Sequence, residues 1–100
     1  MIARIGFVFS LAAVALTAQD GKAIFEKQCA FCHASTTDEK RVGPSLKGLK
    51  AGVLPDAIGK AATKANILQK VNDGGNGMPV FRDLLNKEEK EAVTAYVITL

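Results

Sequence analysis

Two cysteines and a histidine fall within five consecutive residues, Cys29-Ala30-Phe31-Cys32-His33, and the chain has no other cysteine or histidine. This C-x-x-C-H spacing is the pattern of c-type haem attachment. One helical turn sets Cys29 and Cys32 on the same side, where both sulfurs can form thioethers with the two vinyl groups of a haem. His33 then rises from the next position and can give an imidazole nitrogen to the iron. Rival chemistries fit these residues less well. A thioredoxin-like C-x-x-C needs a βαβ setting, which the sequence lacks. A structural zinc site needs four ligands, and only three residues of the Cys or His type exist. A disulfide between Cys29 and Cys32 would close almost no chain.

A second sulfur lies downstream. Met78 is the only methionine besides Met1, and it sits in the loop DGGNGMP at residues 73–79. A lone methionine is more often a core gap-filler, but a core filler would be misplaced in a glycine-rich loop. A soft thioether suits haem iron as a sixth ligand, so Met78 is the candidate. The glycines alone could suggest a phosphate cradle, but no helix start with Lys-Ser/Thr follows them.

What must position these residues is small. The chain has 100 residues, room for one domain. Arg4 precedes an uncharged run, IGFVFSLAAVALTA, at residues 5–18. A basic start, a short apolar centre and a small-residue exit make a secretory signal peptide, expected at 1–18 with the cut after Ala18. Ala13 and Ala15 also satisfy the A-x-A pattern. The run is too short for a membrane anchor, which takes about 20 residues. Residues 19–100 then form the mature domain, short for a self-sufficient core. Its aromatics are Phe25, Phe31, Phe81 and Tyr96, with no tryptophan. A buried cofactor would supplement so thin a core. The formal net charge is +3, with basic residues scattered from Lys22 to Lys90, so no basic run points to nucleic acid. A few lysines near an exposed cofactor edge could still steer an acidic partner.

Helical signals occur in three places, and no alternating strand pattern occurs. Asp20 can cap a helix carrying Ile24, Phe25 and Cys29. Residues 55–72 read as one broken helix or two short ones, with Pro55 at a first helical position and Thr63 starting a second piece that Gly74 ends. Asn86 and Glu89 form a variant capping box for a last helix bearing Val93, Tyr96, Val97 and Leu100 on one face. Long loops at 34–52 and 73–79 suit a domain wrapped round a ligand.

From Asp20 to Leu100 the chain resembles the small class I c-type cytochromes of bacteria. The carriers of the resemblance are Gly21 and Phe25 before the haem motif, the stretch RVGPSLKGL at residues 41–49, and Met78-Pro79 before the last helix. It implies an all-α cytochrome c fold, with three to four helices and long loops round one covalent haem c. It also implies that Gly21 lets the first and last helices cross closely, with Tyr96 on the face that meets them. The Pro44 carbonyl would accept the hydrogen bond from the second nitrogen of His33, fixing its tautomer and orientation. Met78 would be the sixth ligand of the iron. The family's tryptophan is missing, so a lysine, an arginine or Asn76 would have to hold the propionates.

The function expected is one-electron transfer, not catalysis. The chain would work in the periplasm, taking electrons from a dehydrogenase or membrane complex and passing them to an oxidase or reductase. It could do so as a free shuttle or as the cytochrome subunit of a larger oxidoreductase. A ligand sensor or peroxidase-like protein with a labile sixth ligand is the alternative. Against it, no second histidine exists to serve as distal acid or base.

Overall fold

In the computed structural model, residues 16–55 and 58–100 are described. Most of the expected leader, residues 1–15, lies outside them. Three helices form: α1 (Ala18–Gln28), α2 (Lys64–Asp73) and α3 (Lys87–Val97). The described residues contain no strand, only isolated bridges between Val53 and Ala61 and between Gly75 and Met78.

Each helix begins where a side chain can satisfy its free N–H groups. Asn86 and Glu89 make the expected capping box of α3, with bonds of 2.8 and 2.9 Å. Thr63 caps α2 as its sequence suggests. In α1 the cap is Thr17, and Asp20 is its partner three residues on, so the helix starts three residues earlier than an Asp20 cap would place it. Among the described residues between Pro55 and Thr63, the helix expected from Pro55 is absent. Pro55 stands in a bend, and the chain doubles back as Leu54 N–H donates to Lys60 O and Ala62 N–H to Gly52 O. Gly52 and Gly59, at φ of +103° and +69°, make that reversal and override the local signal of the proline.

The outer helices cross. A Cβ on Gly21 would lie 1.9 Å from the Ala92 carbonyl oxygen, so only glycine lets the two backbones meet. Beside the crossing, the Phe25 and Tyr96 rings pack with centroids 5.5 Å apart. Phe25 and Val93 are fully buried, each worth about 2 kcal/mol of apolar burial. With Leu49, Ile67, Phe81, Leu85 and Val97 they form one core. That core faces a cavity instead of closing on itself.

Candidate haem site

The C-x-x-C-H segment follows α1 as a turn. Cys29 N–H donates to Phe25 O at 2.8 Å, and His33 N–H to Cys29 O at 2.9 Å. The chain thus makes one further helical-type turn that sets the two cysteines and the histidine together. A loop folds beneath it. Gly43 N–H donates to Cys32 O at 2.7 Å, Leu46 N–H to Ala34 O at 2.9 Å, and the Arg41 guanidinium to Ala30 O.

His33 Nδ1 lies 2.7 Å from the Pro44 carbonyl oxygen. A carbonyl can only accept, so Nδ1 carries the proton and Nε2 keeps the free lone pair. Gly43 makes this possible. A Cβ there would sit 2.6 Å from His33 Cε1 and 3.0 Å from Nδ1, so the loop can lie against the ring only without a side chain. The sequence marks Gly43-Pro44 as a turn; the close approach to the imidazole is a tertiary fact that no local signal carries.

His33 and Cys29 line a cavity of about 420 Å³, and Met78 lines it too. Cys32 is half-buried on the same turn but does not line this cavity. The other walls are mostly apolar, including Phe25, Leu46, Ile67, Val71 and Val97, with Lys60, Asn66, Gln69, Lys70, Asp73 and Asn76 as polar exceptions. Ligand cavities run from about 300 to 1,000 Å³, are largely apolar and carry a few placed polar groups. An imidazole nitrogen, a thioether and a thiol on one greasy cavity form the donor set that a haem requires. Zinc does not fit, because no group of three or more His, Cys, Asp or Glu among the described residues could hold a metal ion. Burial, with a smaller effect of the adjacent Cys32, pushes the Cys29 thiol up to about 11. Such a thiol stays protonated at neutral pH and is a poor nucleophile for thiol–disulfide exchange.

Known proteins resemble this chain in sequence and in fold. The family model described as cytochrome c oxidase, cbb3-type, subunit III matches residues 16–97. Cytochrome c6 of Nostoc sp. is 37% identical over 97 residues, which cover 97% of this chain and 83% of that protein. The chain belongs to the class I c-type cytochromes. Cytochrome c6 of Synechocystis sp. is 38% identical over 96 residues, covering 94% and 76% of the two chains. In structure, the cytochrome is similar to cytochrome c6 from the diatom Phaeodactylum tricornutum, with a TM-score of 0.66, 32% identity and coverage of 83% and 92%. It is also similar to the c-type cytochrome SorU from Sinorhizobium meliloti, with a TM-score of 0.58, 35% identity and coverage of 82% and 87%. The cytochrome therefore has the all-α cytochrome c fold, carries one covalent haem c, and is an electron carrier and not an enzyme. It exchanges electrons with redox partner proteins. Its cytochrome c6 homologues are exported, and no helix among the described residues is long and apolar enough to cross a membrane.

Proposed function

We propose that Cys29 and Cys32 would hold the haem through thioethers and that His33 Nε2 and Met78 Sδ would ligate its iron. When bound, the haem supplies a reversible one-electron couple. This chain's residues govern how that couple behaves. The Pro44 carbonyl holds the Nδ1 proton, which keeps Nε2 turned toward the cavity and makes it a better donor. The apolar walls exclude water. The Met78 thioether would raise the reduction potential and would leave no position free for an exogenous ligand. The observation that supports this reading is the meeting of His33 and Met78 on one cavity, 45 residues apart in the chain.

Residues 1–18 act as the export signal in this reading, and the mature carrier works in the periplasm. Its donor is a dehydrogenase or membrane complex, and its acceptor an oxidase or reductase. Protein matured in an export-competent host should be shortened at its N-terminus and heavier by one haem in an intact-mass measurement. Acidified organic solvent should leave the haem attached. Freely extractable haem would overturn the attachment, and a full-length product held in membranes would make the leader an anchor. Ferric protein should show the weak near-infrared charge-transfer band of sulfur-ligated haem. Lack of that band together with immediate binding of carbon monoxide by the ferrous form would favour the sensor reading.

A further inference from the structure

The segment that carries Met78 has little stiffness of its own. Gly74, Gly75, Asn76 and Gly77 follow one another with φ of +61°, +111°, +53° and +88°. Glycine loses more conformational freedom on folding than any other residue, so this run is costly to hold in one shape. Backbone bonds supply part of the restraint. Gly75 and Met78 exchange two bonds of 3.0 Å, and Phe81 N–H donates to Val71 O at 3.0 Å.

Three cationic side chains supply the rest. Lys70 Nζ donates to Gly74 O at 3.1 Å and to Gly75 O at 3.3 Å. Arg82 pairs with Asp73 across the loop's two ends. Lys90 comes from another element, α3. Its Nζ donates to Asn72 Oδ1 at 2.9 Å and to Arg82 O at 3.1 Å, so one ammonium joins the chain entering the loop to the chain leaving it. Lys70 and Arg82 act within the segment they restrain; Lys90 alone ties both ends of the loop to the helix that packs under Phe25.

We propose that Lys90 is a positioning residue for Met78: by bridging Asn72 and Arg82 it fixes the ends of the loop and keeps the thioether over the cavity. The proposal rests on the reading of Met78 as the sixth ligand. Its prediction concerns how readily an added ligand displaces the thioether, a quantity that a merely stabilising surface contact would leave unchanged.

The test is an imidazole titration of the ferric holoprotein at fixed pH and ionic strength, with the near-infrared band and the Tm recorded on the same samples. Lys90→Met keeps the apolar stem and removes the ammonium. It should raise the apparent imidazole affinity about five- to tenfold, the net worth of one ordinary hydrogen bond at a half-buried site. Lys90→Arg, which keeps a cationic donor, should restore affinity to near the wild-type value. Lys87→Met, on the exposed first position of the same helix, should leave it unchanged. A Lys90→Met protein with lower Tm but wild-type imidazole affinity would overturn the proposal while leaving Met78 as ligand. Wild-type protein without the near-infrared band would overturn both.

Discussion

Replacing Gly43 by alanine tests whether the loop beneath His33 acts on the iron ligand or merely passes it. The added Cβ would meet His33 Cε1 at 2.6 Å, where carbon atoms normally rest about 3.5 Å apart or more. Close to 1 Å of movement is therefore needed, and neither neighbour yields easily. The Gly43 backbone is bonded to Cys32 O, and the imidazole is bonded to Pro44. Overpacking of this kind costs about 1–3 kcal/mol. If the loop retreats, the bond between Nδ1 and Pro44 lengthens, adding about 1 kcal/mol. The sum, about 2–4 kcal/mol, corresponds to a fall in Tm of about 8 °C or more in a domain this small. The bond also feeds electron density to Nε2. Its loss makes His33 a weaker donor to ferric iron, and the reduction potential should rise. Thermal denaturation and redox titration of the oxidised and reduced protein measure both effects. Gly48→Ala is the control, since its Cβ meets nothing within 4 Å and carries only the cost of φ at +86°, about 1–2 kcal/mol. It should lower Tm without moving the potential. A Gly43→Ala protein with wild-type Tm and potential would refute the reasoning.

Other substitutions probe the remaining contacts. Met78→Ala should abolish the near-infrared band, admit external ligands and lower the potential, read by absorption and redox titration. Gly21→Ala should be worse than Gly43→Ala, because its Cβ would strike a backbone carbonyl at 1.9 Å that no side-chain rotation can relieve; a loss of more than about 3 kcal/mol in denaturant unfolding is expected. The Thr17 backbone N–H, then its hydroxyl, hold the Asp20 carboxyl below its ordinary range. That contribution is complete above the ordinary carboxylate pKa and is lost as pH falls through the depressed value. First-turn amides of α1 should lose protection in that acid window in a chain that keeps Thr17, and Asp20→Asn should remove the dependence.

The legible parts of this chain are those whose cause is local. Cys29, Cys32 and His33 declare themselves by spacing, and Asn86 with Glu89 or Thr63 before α2 declare themselves by capping chemistry within three residues. Thr17 was hidden because its box with Asp20 straddles the end of an apolar run that reads as leader. Pro55 misled because its preference for a first helical turn is weaker than the reversal made at Gly52 and Gly59. What sequence does not carry is contact at a distance. Gly43 against an imidazole and Lys90 between Asn72 and Arg82 depend on elements meeting, and no spacing encodes them. Pro44 and Met78 were reachable only through resemblance or elimination; the meeting of Met78 with His33 on one cavity is again tertiary.

The crossing of α1 and α3 at Gly21 and Ala92 has a temporal side. These residues are about 70 positions apart, so bringing them together costs about 4 kcal/mol of loop-closure entropy. Until α3 has been synthesised, α1 lacks the helix it crosses, and an isolated helix of 11 residues is marginal in water. The turn holding Cys29 and Cys32 hangs from that helix. The placing of both thiols is therefore settled only once α3 has packed on α1.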